Sequence, residues 1–172
     1  MTSLPAGDFS AGWQPSARVR SAPATGRPRR LRPVEVLIVE DNPSDSDLLR
    51  AAFGAWQTEV RLSLVEDGEQ AVNWLLRLGN FHNAVRPDLI ILDLNLPRKD
   101  GMEVLGVIKK IPALQQIPVV VLTTSDRDED VKAAYRMHAN CYLTKTMDVF
   151  EFFTKIEVLE KFWMTVARLP SD

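Results

Sequence analysis

"DLIILDLNLPRKDG" (residues 88–101) sets four consecutive apolar residues between two aspartates and then breaks into a Pro/Gly turn. The run is too short for a helix and has no polar alternate positions. It reads as a strand buried on both faces, which is how a central parallel strand covered by helices must look. A carboxylate at its far end, Asp93, is then costly to bury without a partner. The rest of the chain must supply the reason for it.

Outward from this strand the chain alternates. "VEVLIVE" (34–40) predicts a strand, and Pro43 followed by "SDSDLLRAAFGAW" (44–56) predicts a helix with Ser44 or Asp45 as cap. "EVRLSLV" (59–65) alternates like a strand, and "GEQAVNWLLRLG" (68–79) is helical with Asp67 placed to cap it. After 88–93, Asp100 and Glu103 form a D-x-x-E capping box opening a helix over 101–111. "IPVVVLT" (117–123) is a second buried strand, and "RDEDVKAAYRMH" (127–138) is helical. "NCYLTK" (140–145) is a short strand, and a long helix covers about 148–167. Strand–helix alternation, five times over, predicts a doubly wound parallel α/β sheet. Ligands in such sheets bind beyond the carboxyl ends of the strands.

Bulk properties narrow the class. The chain has 172 residues, 45% of them apolar, which suffices for one ordinary core. No apolar run approaches the ~18 residues of a bilayer span, and the start has no apolar signal region. The lone Cys141 rules out an internal disulfide and agrees with a cytoplasmic location. The net charge of −2 hides an asymmetry: residues 1–33 hold six arginines against one acid, leaving 15 basic and 22 acidic residues elsewhere. The folded part is therefore a poor candidate for nucleic-acid binding. Residues 1–33, rich in Pro, Ser, Gly, Ala and Arg, read as a disordered basic tail; "RPRRLRP" (27–33) is a weak anionic docking motif within it. Residues 168–172 read as a short C-terminal extension.

The predicted strand ends collect a particular set of groups: Glu40 and Asp41, Asp93, Thr123 and Lys145. Glu66 and Asp67 follow the second strand and serve a cap at least as well. Each residue alone has an ordinary explanation; the joint placement carries the signal. Three neighbouring carboxylates repel one another, and a hard divalent cation such as Mg²⁺ relieves that repulsion with oxygen ligands. Asp93 beside such an ion is a usable nucleophile toward a phosphoryl group, with Lys145 and the Thr123 hydroxyl holding phosphoryl oxygens. The product is an aspartyl phosphate.

"VLIVEDNPSD" (36–45), "LIILDLNLPRKDG" (89–101), "VVVLTTS" (119–125) and "YLTK" (142–145) together resemble the receiver domain of two-component response regulators, over about residues 34–167. The resemblance implies a flavodoxin-like (βα)₅ fold with strand order 2-1-3-4-5. It implies Asp93 as phospho-acceptor in a phosphorelay, Asp41 as direct Mg²⁺ ligand, Glu40 acting mainly through water, and the Asn95 backbone carbonyl completing the metal site. Thr123 and Lys145 match the switch hydroxyl and the phosphate-binding lysine, and Tyr142 the aromatic that changes rotamer with the threonine. Asn95 and Ser125 match positions that tune water access to the acyl phosphate. At Thr146 the chain departs from the pattern, since many receivers carry proline there after a cis bond; before a non-proline a cis bond costs ~2.5–4 kcal/mol.

The chain resembles receivers that stand without an output domain. "NCYLTK" and "EKFWMTVARLP" (160–170) resemble small regulators paired with bacterial and cyanobacterial phytochrome histidine kinases. The implied partner is a sensor histidine kinase, with an unknown downstream protein, no nucleic acid and no membrane. On the last helix, Val149, Phe152, Phe153, Ile156, Leu159 and Trp163 share a core stripe. Phe150 and Val158 fall off it and Phe162 sits on its margin, which with Tyr142 suggests a homodimer through helix 127–138, strand 140–145 and the last helix. His82 and His138 have no ligand spacing with Cys141, and Trp56 and Trp74 read as packing residues.

Two other functions compete. A haloacid-dehalogenase-type phosphatase also uses an aspartyl phosphate and Mg²⁺, but needs D-x-D where this chain has Asp93-Leu94-Asn95, and an amide cannot serve as general acid. A receiver fold used only for binding would not need the full acidic, hydroxyl and ammonium set. The expected protein is a signalling phospho-acceptor rather than an enzyme.

Overall fold

In the computed structural model, which describes residues 32–54 and 59–170, the run at 89–92 is the middle strand of a five-stranded parallel sheet. The strands are β1 (Val34–Val39), β2 (Val60–Val65), β3 (Leu89–Leu92), β4 (Val119–Thr123) and β5 (Cys141–Thr144), in the order β2-β1-β3-β4-β5. The helices are α1 (Pro43–Gly54), α2 (Gly68–Leu76), α3 (Gly101–Lys110), α4 (Asp128–Arg136) and α5 (Val149–Glu160). The doubly wound α/β architecture expected from the alternation is the one observed.

Side-chain alternation explains why two helical layers are needed. Leu37, Val39, Ile90, Leu92, Val119 and Val121 face one core with residues of α2, α3 and α4. Val36, Ile38, Leu89, Ile91, Val120 and Leu122 face the other with residues of α1 and α5. Every residue of β1, β3 and β4 is buried, whereas the outer strands β2 and β5 are mostly half-buried. Burial of large aliphatic side chains, each worth ~1.5–3 kcal/mol, sets this layering.

Element ends follow local chemistry. Asp100 and Glu103 form the reciprocal capping box at α3, and Asp67 caps α2 by accepting from the Gln70 N–H. Helix α2 ends at Leu76, earlier than residue 79, because Arg77 adopts a left-handed conformation (φ 56°) and a 3₁₀ turn follows over Gly79–Phe81. The cap of α1 is neither Ser44 nor Asp45 but Asn42, whose Oδ1 accepts from the Ser44 N–H at 2.9 Å. With Pro43 at the first helical position, where a missing N–H costs nothing, Asp45 is freed for another partner. Among the described residues no peptide bond is cis, the 145–146 bond included.

Four observations touch the predicted margins. Val149 is 54% exposed rather than part of the core stripe, because it opens α5 a turn before Phe152 and Ile156 reach the core. The last helix passes at Lys161 into a π-helical turn running to Val166. Leu169 is buried against the α1–α5 core. Arg32 makes a bidentate ion pair with the buried Asp88, at 2.8 and 2.9 Å. The rest of the basic tail (1–31) and Trp56 lie outside the described residues. Trp74 packs on the core with its ring against Phe81.

Candidate functional site

The parallel arrangement brings the ends of β1, β3, β4 and β5 to one edge. Asp93 is positioned there by its own N–H, which donates to the Val39 carbonyl at 3.0 Å, and Glu40 by its N–H to Val65. The loop leaving β3 turns tightly enough that a Cβ on Gly101 would collide with the Asp93 carbonyl oxygen, so only glycine is accommodated at that helix start. The Asn95 N–H donates to Asp93 Oδ1 at 3.0 Å.

Lys145 ties the edge together. Its Nζ donates to Glu40 Oε2 at 2.6 Å, Asp93 Oδ2 at 2.6 Å and Asp45 Oδ2 at 2.8 Å. The lysine side chain is only 6% exposed. Burial works against its charge, but three carboxylate bonds outweigh burial and hold its pKa above the ordinary lysine value. Glu40 is affected in the opposite sense: burial pushes its carboxyl up to about 7, although Lys145 and the Asn42 N–H favour the charged form.

Glu40, Asp41 and Asp93 each offer an oxygen within 4.8 Å of the others. Hard oxygen donors at this spacing, two from buried side chains and one exposed, match what Mg²⁺ or a similar divalent ion accepts. Asp67 is absent from this set, being committed to its helix cap and to Arg98 at 2.9 Å.

Of the other predicted residues, Thr123 is fully buried, and its Oγ1 accepts from Asn95 Nδ2 at 3.2 Å. Asn95 donates equally to Thr124 Oγ1 at 3.2 Å. Tyr142 lies half-buried on β5, its hydroxyl donating to the Ser125 carbonyl at 2.9 Å, while burial raises its pKa. The Ser125 hydroxyl is turned to α4, donating to Asp130 Oδ2 at 2.6 Å. Phe150, Val158 and Phe162 are 84%, 64% and 48% exposed, with Tyr135 of α4 also exposed. His82 and His138 are exposed and join no metal-ligating group among the described residues.

Sequence reasoning missed Asp45 as a site residue. In the sequence it is, with Ser44, a candidate helix cap, yet its carboxylate reaches Lys145. The available signal was Pro43: it fixes the first helical position, so Asp45 falls in the first turn of a helix that begins right after the acidic pair.

The family description "Response regulator receiver domain" matches residues 36–157. The response regulator Rcp1 of Synechocystis sp. is 44% identical over 139 residues, 81% of this chain and 95% of its own length. The probable methanogenesis regulatory protein FilR2 of Methanothrix harundinacea is 38% identical over 80% of this chain and 88% of its own. Among solved structures, the Mn²⁺-bound form of Rcp1 superposes with a TM-score of 0.79 at 44% identity, covering 81% of this chain and 100% of that one. The phosphorylated cyanobacterial phytochrome response regulator RcpA does so with a TM-score of 0.79 at 43% identity and the same coverage. Among the described residues, no helix is long and apolar enough to cross a membrane.

Proposed function

The chain belongs to the response regulator receiver family, and we propose that it acts in phosphorelay signalling by accepting a phosphoryl group on Asp93. One observation carries this reading: Asp93 sits buried between a lysine ammonium at 2.6 Å and two further carboxylates able to share a cation with it. In the transfer, an Asp93 oxygen bonds to phosphorus as the bond from phosphorus to the donor nitrogen breaks. The electron pair stays on that nitrogen, which ends as neutral imidazole after taking up a proton. Asp41, Asp93 and the Asn95 carbonyl would hold Mg²⁺, with Glu40 acting mainly through water, and the ion would supply positive charge against the phosphoryl oxygens. Lys145 holds one of these oxygens. The Thr123 hydroxyl leaves the Asn95 amide to donate to another, and Tyr142 follows by giving up the Ser125 carbonyl. Asn95 and Ser125 govern how water reaches the acyl phosphate.

The donor is a sensor histidine kinase of the phytochrome type; similarity to Rcp1 and to the phytochrome response regulator RcpA supports this. The reader of the signal is a protein surface, and the face of α4, β5 and α5 serves a homodimer in the cytoplasm. Residues 34–167 form the receiver. Phosphatase chemistry is disfavoured by Asn95, whose amide replaces the second acid and is bonded to Thr123.

Incubation of the full chain with acetyl phosphate and Mg²⁺, read by intact mass, tests the reading. One HPO₃ adduct is expected, dependent on Mg²⁺ and absent in Asp93→Asn. An adduct that survives in Asp93→Asn, or rapid turnover of p-nitrophenyl phosphate, would overturn it.

A further inference from the structure

An ammonium group has three N–H donors, and all three of Lys145 are engaged, by Glu40, Asp45 and Asp93. The three acceptors differ. Glu40 and Asp93 belong to the carboxylate set that can share a cation; Asp45 does not. Asp45 comes from the first turn of α1 and is 24% exposed, against 2% and 5% for the other two side chains. Its bond to Lys145 is the one hydrogen bond its carboxylate makes among the described residues.

A phosphoryl group on Asp93 takes over the donor that the Asp93 carboxylate holds in the resting protein. Any further phosphoryl oxygen that reaches Lys145 must displace Glu40 or Asp45. Glu40 is enclosed and also held by the Asn42 N–H at 3.1 Å. Asp45, at the open side, has water to turn to. Its carboxylate would moreover stand next to the incoming dianion, and like charges at that range repel.

Resting on the Asp93 reading above, we propose that Asp45 is a positioning residue for the phosphoryl reaction: it holds the Lys145 ammonium in the resting protein and competes with the phosphoryl group for it. The charge at Asp45 thereby sets how readily the site fills. A merely structural Asp45, acting as an acid in the first turn of α1, would affect melting temperature but not this competition.

The test uses the full chain at saturating Mg²⁺, titrated with beryllofluoride by calorimetry and, in parallel, phosphorylated by acetyl phosphate with initial rates read by intact mass. Asp45→Asn is expected to bind beryllofluoride about three- to tenfold more tightly and to be phosphorylated faster by a similar factor, since a charged hydrogen bond of this kind is worth about one such step. Asp45→Ser, well tolerated near a helix start, should move the same way, and Asp45→Glu should return toward the parent. Unchanged or weaker beryllofluoride binding in both neutral variants, with the parent still phosphorylated on Asp93, overturns the role of Asp45 alone. A parent that takes up neither beryllofluoride nor phosphoryl group overturns the Asp93 reading and this inference with it.

Discussion

Lys145 Nζ lies 2.6 Å from Asp93 Oδ2, both side chains nearly excluded from solvent. One residue ends β3 and the other follows β5, two strands apart in the sheet. The pair therefore ties the acidic edge to the segment that leads into α5. A buried ion pair contributes little net stability, but removing one partner strands the other.

Lys145→Met should consequently destabilise the protein at pH 7 by ~3 kcal/mol or more in the absence of divalent cations, because Glu40, Asp45 and Asp93 lose their shared donor. Mg²⁺ should recover part of the loss. Urea denaturation with and without Mg²⁺ measures both effects; no loss without the ion would contradict the electrostatic role.

Mg²⁺ should raise the parent protein's melting temperature in a saturable way, since a ligand of the folded state at 100 times its Kd stabilises by ~2.7 kcal/mol. Asp41→Asn should remove most of this response with little change in the Mg²⁺-free protein, because Asp41 is exposed. Thermal scans across a Mg²⁺ series provide the check.

Glu160 predicts a pH effect far from the site. Its carboxyl is buried with one oxygen unpartnered among the described residues, and burial pushes its pKa from 4.5 up to about 7, with Glu157 adding to the shift. Between those values the folded state holds a proton that the unfolded state has released. Stability from this group is complete below pH 4.5 and is lost as pH rises through 7. Glu160→Gln should therefore flatten the profile and add ~1–3 kcal/mol at pH 8. Denaturant midpoints at pH 4.5 and 8 decide it: equal effects of the substitution at both would be the wrong outcome.

How much of this was readable in advance depended on how local each signal is. The β3 strand with Asp93 at its end is legible, since a continuous apolar run closing on a carboxylate and a Pro/Gly turn leaves few alternatives. The capping box at Asp100 and Glu103 was legible for the same reason, being fixed by spacing alone. The end of α2 was not, because Arg77 takes a left-handed conformation that sequence usually assigns to glycine or asparagine. Nor was the partner of Asp45: a first-turn aspartate looks like a cap until the sheet shows that Lys145, 100 residues away, lies within reach. The ion pair of Arg32 is not legible either, because its partner, Asp88, is a neighbour only in the folded sheet.

Gly101→Ala should cost ~1–3 kcal/mol, the range of overpacking, and should slow phosphorylation, since the new Cβ can be fitted only by shifting the Asp93 backbone. Melting temperature and acetyl phosphate uptake are the two readouts. Unchanged phosphorylation would show the loop to be more compliant than its close packing implies.

The exposed apolar residues of α5 and the turn after it should matter for self-association. A charge placed at Val158 or Phe162, 64% and 48% exposed, should shift sedimentation toward monomer with stability nearly unchanged. A dimer that persists in both variants would place the contact elsewhere.

The most direct measurement traps the acyl phosphate chemically. After reaction with acetyl phosphate and Mg²⁺, borohydride reduces an aspartyl phosphate to homoserine, and peptide mass spectrometry locates it. Homoserine is expected at position 93 and is expected to disappear when Mg²⁺ is withheld; homoserine at another aspartate, or none in protein that carries the adduct, would rule out Asp93 as the phospho-acceptor.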